Sequence, residues 1–197
     1  MTLILRKCFK DGSSSRNFKY GQVGDTVTAP DWNPKPTCGN GLHGLKQGNG
    51  DWILLKGTDW LVIEAEEKDV VDIDNQKCKF RTGKILYRGN SKGLHEYAPV
   101  MATESDAAYY WSIQIGDREI MRDRVTNSRW AYYWARNIGD REVMRDSITE
   151  TEWAYYWARD IGDREIMVER ITGTYYYHLA IISNLIPAKQ STVRNVK

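Results

Sequence analysis

The residue types best suited to chemistry in this chain of 197 residues lie around one glycine-rich segment, CGNGLHG at positions 38–44. His43 could act as a general base near neutral pH, or it could donate a hydrogen bond to a phosphate at a glycine-flanked turn. The same imidazole could instead hydrogen-bond its own loop to a neighbouring strand. The sequence leaves these roles open.

Cys38 opens this segment and offers two further chemistries. A nucleophilic thiol needs a base and a group that stabilises an oxyanion, and only His43 is near it in sequence. A zinc site needs about four ligands, and Cys8 and Cys78 stand alone in strand-like segments. The sequence therefore predicts no catalytic residue, no metal ligand and no cofactor, and it favours a protein that is not an enzyme.

Basic side chains, Arg6 and Lys7 among them, flank the strands that we predict around the glycine-rich segment. Exposed backbone amides together with cations suit a small ligand that carries phosphate, such as a nucleotide. Lysines beside strands also protect sheet edges from unwanted pairing, which is the alternative interpretation. The candidate ligand-binding residues are Asn40, His43, Lys77, Lys79 and Arg81.

A β-rich domain is predicted to position these residues. Between its first two strands lies a stretch rich in Gly, Asn and Pro, residues 30–51, which we predict to be a long loop. A loop of that length inside a compact domain is usually functional or mobile. The predicted strands are Leu3–Phe9, Trp60–Glu66, Val70–Ile73 and Ile85–Tyr87.

The downstream sequence repeats every 23 residues, beginning at Thr103, Thr126 and Thr149, and a degenerate copy begins at Thr172. Repeats of that length are typical of solenoid-type stacks. We therefore predict an α+β chain. It comprises a β-rich domain at residues 1–100, a short α-solenoid of two-helix repeats at 101–186 and a flexible tail at 187–197.

Each full repeat predicts two short helices joined at a Gly-Asp pair. The opening threonine is expected to cap the first helix, and the aspartate is expected to cap the second. The glycine is expected to take a positive φ where the first helix ends. Charged residues recur in every copy, so we expect them to form a solvated face rather than a site. The hinge pairs are Gly116-Asp117, Gly139-Asp140 and Gly162-Asp163.

The fourth copy lacks the Gly-Asp pair and is apolar instead. A terminal repeat that closes a stack is expected to differ from the others, and we favour that interpretation. An exposed apolar end would indicate self-association, which stays open. The candidate interaction surface comprises Tyr175, Tyr176, Tyr177 and Ile181.

Composition indicates a packed, soluble protein: 41% of the residues are hydrophobic and 27% are charged, with a net charge of +2. Neither half is basic enough to indicate specific nucleic-acid binding. Three cysteines, an odd and sparse set, fit reduced thiols in a cytoplasm. No signal peptide or membrane-spanning run is recognisable, so we predict a cytoplasmic protein that does not contact a membrane.

One resemblance covers roughly residues 3–90. Cys-x-x-Gly-Leu-His, then a strand ending in Glu-Ala-Glu, then Asp and Lys before a last strand, resembles a family of small uncharacterised proteins of phages and prophages. The Trp-Ala and Ile-Gly-Asp repeats are similar to repeats in phage and bacterial proteins. The resemblance implies a virus acting inside a bacterial cytoplasm and carries no known chemistry. The matching residues are Lys7, Gly12, Cys38, Gly41, Leu42, His43, Asp74, Lys77 and the strands at 62–66 and 84–87.

Together these features favour a non-enzymatic, phage-encoded accessory protein that binds and modulates a host component, such as a defence protein. The repeats would supply a surface that faces a host protein or a second copy of the chain. A first alternative is a binder or hydrolase of a phosphate-bearing nucleotide signal that uses residues 38–50. A second alternative is a structural component of the virion.

Overall fold

A sheet followed by helices forms the part of the chain that the computed structural model describes, residues 1–75 and 77–187. This arrangement confirms the predicted α+β class. The strands are β1 (Thr2–Cys8), β2 (Thr26–Thr28), β3 (Leu42–Lys46), β4 (Asp59–Ala65), β5 (Val70–Asp74), β6 (Lys77–Phe80) and β7 (Thr82–Gly89). The helices are α1 (Ser105–Gln114), α2 (Arg118–Arg122), α3 (Ser128–Asn137), α4 (Arg141–Asp146), α5 (Thr151–Asp160), α6 (Arg164–Arg170) and α7 (Thr174–Ile182).

The strands form one antiparallel sheet in the order β2-β7-β4-β1-β3-β6-β5. Strands β6 and β7 lie far apart in that order, yet Arg81 alone joins them along the chain. One intervening residue spans at most about 7 Å, so the sheet must curl until the end of β6 meets the start of β7. The backbone of Arg81 also accepts from Ala29 and donates to Asp69, which lie beside the two edge strands. The sheet is therefore a half-barrel.

Side chains of one sheet face form the core of this half-barrel. Ile4 and Cys8 of β1, Ile63 of β4 and Phe80 of β6 belong to one buried cluster. Burial of each large apolar side chain stabilises the fold by about 1.5–3 kcal/mol. Because side chains alternate along a strand, Arg6 lies on the same face as Ile4 and Cys8. A guanidinium is thus directed toward the inner side of the sheet.

The prediction of a long loop at residues 30–51 is wrong, because β3 lies inside it. Ile4 of β1 pairs with Lys46 on one side of β3, and Leu42 pairs with Phe80 of β6 on the other. Gly44 is needed here, since a Cβ at that position would lie 2.3 Å from Ile4 Cγ2. Pairing on both sides therefore makes this glycine-containing segment a strand despite its low intrinsic propensity.

Each full 23-residue repeat folds as a helix of 10 residues and a second helix of five to seven residues. Gly116, Gly139 and Gly162 take φ values of +106°, +129° and +126° where the longer helices end. The predicted positive φ at these glycines is confirmed.

The predicted caps of the longer helices are wrong by one residue. The N-cap residues are Glu104, Asn127 and Glu150, and not the threonines that precede them. The reason is a bond inside each repeat that holds the first helical residue. The hydroxyls of Ser105, Ser128 and Thr151 donate to the carbonyls of Arg124, Ser147 and Arg170 at 3.2, 3.0 and 3.3 Å.

The hinge aspartates precede the shorter helices as predicted, but none of their side chains caps a helix. Each carboxylate instead accepts from the indole N–H of a tryptophan buried in its own repeat. A buried indole needs such an acceptor, and this need outweighs capping of a helix end that water can solvate. The Nε1–Oδ2 distances are 2.8 Å for Trp111–Asp117, 3.1 Å for Trp134–Asp140 and 3.2 Å for Trp157–Asp163.

The chain divides into two compact units, Met1–Val125 and a second that begins at Thr126. In the first unit, the ring of Trp111 packs edge-on against Trp52 at 5.9 Å. The guanidinium of Arg124 there donates to the carbonyls of Ala98, Met101 and Ala102. The first repeat therefore packs against the sheet region.

Within the second unit, successive long helices stack in one register. Tyr132 Oη donates to Asp160 at 2.5 Å, and Tyr155 Oη bonds Ser183 Oγ at 3.0 Å, with the same sequence separation. The degenerate fourth copy thus packs on the third as the third packs on the second. The predicted domain boundaries stay predictions, and the predicted tail after Pro187 lies outside the described residues.

Candidate functional site

The sheet region contains a cavity of about 190 Å³ that is open to solvent. A single water needs roughly 10–15 Å³ on a comparable measure, so the cavity has room for a small molecule. Three of the lining side chains carry permanent positive charge, and none of these described lining residues is a carboxylate. The lining residues are Arg6, Ser14, Ser15, Arg16, Phe18, Tyr20, Cys38, Gly41, Leu42, His43, Leu54 and Lys77.

Arg6 reaches the cavity from β1, on the face that elsewhere carries the apolar core. Its guanidinium lies near the hydroxyl of Tyr20, which is itself buried. The Nε of Arg6 is also buried and has no acceptor among the described residues. An unpaired buried N–H destabilises a fold by about 1–3 kcal/mol.

Arg16 is presented by a tight loop between β1 and β2. Buried Ser14 accepts through Oγ from the backbone N–H groups of Arg16 and Phe18, at 3.3 and 3.1 Å. Asn17 between them takes a φ of +62°, which turns the chain sharply. The loop therefore holds Arg16 at the cavity edge through its own backbone bonds.

The opposite wall is the segment that leads into β3, and Lys79 fixes its shape. Lys79 is fully buried, and its ammonium donates to the carbonyls of Thr37 and Gly39 at 3.0 and 3.3 Å. Gly41 N–H donates to Asp31 Oδ1 at 3.0 Å. A cation and a carboxylate thus hold the glycine-rich loop in place from two sides.

The pKa of His43 is affected by its burial and by the cations around it. Burial, and then the charges of Arg6, Arg16, Lys77 and Lys79, lower its pKa to about 4. Its Nε2 accepts from Gly39 N–H at 3.3 Å, which leaves the proton on Nδ1. A base with so low a pKa is weak at neutral pH. These observations favour the structural role for His43, and the four cations are charged neighbours of its ring.

Cys38 is the accessible thiol at this site. It is exposed and lines the cavity, whereas Cys8 and Cys78 are buried. Burial raises the pKa of both buried thiols, that of Cys78 to about 12. Reagents that attack thiolates should therefore modify Cys38 first in the folded protein.

The structure brings together part of the ligand-binding set predicted from sequence. His43 and Lys77 line the cavity. Asn40 lines an adjoining surface depression that also includes Arg16. Lys79 shapes the loop with its ammonium and does not line the cavity, and Arg81 is exposed outside it.

Sequence reasoning missed the contribution of the loop before β2. Arg16, Ser14 and Phe18 carry no local signal for a site, since SSSRNF looks like an ordinary polar turn. Arg6 was recognisable as a cation beside a strand, but its inward direction depends on strand pairing. Only the curl of the sheet brings these residues to His43 and Lys77.

Outside the cavity, His95 is partly exposed and contacts the first repeat. Its Nδ1 hydrogen-bonds Asp117 Oδ1, while Asp117 Oδ2 accepts from Trp111. This contact ties the 3-10 segment Ser91–Val100 to the first repeat, because the hinge aspartate has a second oxygen available.

The predicted interaction surface in the fourth copy is only partly exposed. Tyr175 is 68% exposed, whereas Tyr176, Tyr177 and Ile181 are partly buried. Tyr176 packs on Tyr155 at 5.9 Å, so it belongs to the stack. Ile182, which the sequence analysis did not single out, is 77% exposed.

The described residues provide neither a metal site nor a membrane-spanning helix. No group of three or more His, Cys, Asp and Glu side chains in that part of the chain could hold a metal ion. None of its helices has the length and apolar character needed to cross a bilayer.

Comparison with known proteins gives one match. Residues 3–98 match a family model described as Domain of unknown function (DUF7666). No curated protein and no solved structure matches the chain significantly. The match supports an uncharacterised domain family that includes the cavity and ends before the repeats. The phage setting stays a prediction.

Proposed function

We propose that the sheet region binds a small ligand that carries phosphate, and that the cavity is its site. The observation that carries the proposal is the convergence of Arg6, Arg16 and Lys77 on one cavity whose described lining contains no carboxylate. Cations without counter-charges repel one another, and an anion between them relieves that repulsion.

The two arginines of the lining support the same proposal. Arginine binds phosphate through several N–H donors at once, and such charge-assisted bonds are about twice as strong as neutral ones.

The geometry favours binding over hydrolysis. The Nε2 atom of His43 is engaged by Gly39, and its low pKa makes the imidazole a weak base. In the phage setting that the resemblance implies, the ligand would be a nucleotide signal of the host, which the protein would sequester.

Calorimetric titration of the full-length protein with AMP tests this proposal. We expect Arg16→Ala and Lys77→Ala each to weaken binding about tenfold, because each removes one charged donor. Arg81→Ala is the matched control, since Arg81 is exposed outside the cavity, and it should bind AMP as the wild type does. Equal loss in all three variants, or no binding by the wild type, would overturn the proposal.

A second readout uses the thiol in the cavity wall. Because Cys38 is the exposed cysteine, its rate of reaction with a maleimide reports access to the cavity. Saturating AMP should slow this reaction in the wild type and in Arg81→Ala, but much less in Arg16→Ala. A rate that AMP leaves unchanged would place any bound nucleotide elsewhere.

A second candidate function is protein binding by the helical repeats, which we propose form a short solenoid. Half-buried rings follow one another across α3 and α5, with centroid distances of 5.7 Å for Trp130–Tyr133, 5.9 Å for Tyr133–Trp153 and 5.6 Å for Trp153–Tyr156. Tyrosine and tryptophan are enriched at protein interfaces because they combine a large apolar area with a polar atom.

This second function is tested by capture from a bacterial lysate. A partner recovered by the wild type and by Arg16→Ala, but not by Trp153→Ala with Tyr156→Ala, would support it. Recovery of no protein would contradict it, and recovery that the ring substitutions leave unchanged would place the partner on another surface.

A further inference from the structure

The hydrogen-bonding roles of the lining side chains restrict the class of ligand more narrowly than their charge does. Arginine and lysine donate only. Ser14 Oγ already accepts two backbone N–H groups, so its hydroxyl proton is what it can offer a ligand. His43 accepts at Nε2 and therefore carries its proton on Nδ1.

The polar side chains with assigned roles therefore offer donors and no spare acceptor. The best complement is a group that only accepts and that has several oxygens. A fully ionised terminal phosphate has three such oxygens and a charge approaching −2. A phosphodiester has one charge fewer and two free oxygens, and a protonated phosphate carries an O–H that would meet another donor.

The non-polar part of the lining indicates where the rest of the ligand lies. Phe18, Leu42 and Leu54 border the same cavity, and Leu54 is 39% exposed. A ring or chain attached to the phosphate could cover these side chains. The cations would then contact the anionic part of a ligand, and the apolar residues would contact its organic part.

We infer that the cavity takes a phosphomonoester in its dianionic form, in preference to a phosphodiester or a carboxylate. This inference rests on the proposed binding of a phosphate-bearing ligand and names its class. The monoester is recognised by Arg6, Arg16 and Lys77 with the Ser14 hydroxyl and His43 Nδ1–H, while its organic group contacts Phe18 and Leu54.

The inference makes a prediction about pH. The second pKa of a phosphomonoester is about 6, so the dianion rises roughly tenfold between pH 5 and pH 7.5. The pKa of His43 is about 4, so this imidazole stays neutral over that range. The other charged groups at the site are Arg6, Arg16, Lys77 and nearby Lys79. The pH dependence of binding should therefore be that of the ligand.

The test titrates the full-length protein with phenyl phosphate and with its matched diester, methyl phenyl phosphate, at pH 5 and pH 7.5. We expect phenyl phosphate to bind at least tenfold more tightly than the diester at pH 7.5, and to bind about tenfold more weakly at pH 5. The diester should show no such change with pH. Benzoate should bind more weakly than phenyl phosphate at both pH values.

The outcomes separate the two proposals. Equal affinity for monoester and diester, or an affinity for the monoester that does not rise with pH, overturns the choice of a dianion and leaves the proposed function standing. Failure of phenyl phosphate, methyl phenyl phosphate and AMP to bind at all overturns both.

Discussion

The sheet region and the helical repeats use their polar side chains in opposite ways. In the repeats the same contacts recur in every full copy, as with the indole–carboxylate bonds at Asp117, Asp140 and Asp163. Around the cavity each polar contact occurs once, and three cations converge on a space whose described lining contains no carboxylate. Side chains whose contacts recur in every full repeat therefore maintain the structure. Side chains that converge once, on a cavity, indicate a candidate site.

The largest effect expected from this contrast is on stability. Trp157 is fully buried in the third repeat, so Trp157→Ala should lower the free energy of unfolding by about 3–5 kcal/mol. Denaturation in urea measures this loss. Trp153→Ala, on the half-buried face of the same helix, is the matched control and should cost clearly less. Equal losses of unfolding free energy in the two variants would contradict the assignment of Trp157 to the core of the repeat and of Trp153 to its surface.

The sequence was sufficient for features that depend on local periodicity. The repeat length, the helix pairs and the positive φ of Gly116, Gly139 and Gly162 follow from neighbours within about one repeat. The N-cap prediction failed by one residue, because hydroxyl–carbonyl bonds from Ser105, Ser128 and Thr151 hold the first residue of each longer helix.

The cavity could not be predicted in the same way. Arg6 and Arg16 meet His43 only because the sheet curls and β3 pairs on both sides, and no local pattern encodes such pairing. Lys79 and Lys77 look equivalent in the sequence and lie on the same face of β6. Lys79 is nevertheless buried with its ammonium bonded to the loop before β3, whereas Lys77 lines the cavity.

A second prediction sharpens the difference between these two lysines. Lys79→Met should lower the free energy of unfolding by about 1–3 kcal/mol, because the carbonyls of Thr37 and Gly39 lose their donor. Lys84→Met, at an exposed position of β7, should have little effect. If Lys79→Met left stability unchanged and abolished AMP binding, the assignment of Lys79 to the loop would be wrong.

A third prediction concerns the recurring bonds of the repeats. Asp163→Ala should destabilise the protein by about 1 kcal/mol, since it leaves the buried indole N–H of Trp157 without its acceptor. Glu165→Ala, an exposed change in the next helix, should stay within about 0.5 kcal/mol of the wild type. AMP affinity should be the same in both variants, and a selective loss in Asp163→Ala would mean that the hinge takes part in binding.

The last expected effect is confined to acid pH. The pKa of His43 is about 4 in the folded protein and near 6.5 in the unfolded chain, so the unfolded state binds more protons between these values. His43 therefore makes stability fall as pH drops from about 6.5 to about 4, with no further change below. His43→Gln should flatten this part of the stability curve measured by thermal unfolding. An unaltered slope would show that His43 is not the titrating group.

A crystal structure of the protein with bound phenyl phosphate tests the central claim, that Arg6, Arg16 and Lys77 form one anion site, most directly. The account predicts phosphate oxygens about 2.7–3.2 Å from the cationic nitrogens of Arg6, Arg16 and Lys77. It also predicts that the phenyl ring lies against Phe18 or Leu54. A ligand bound at another surface, away from these three cations, would contradict it.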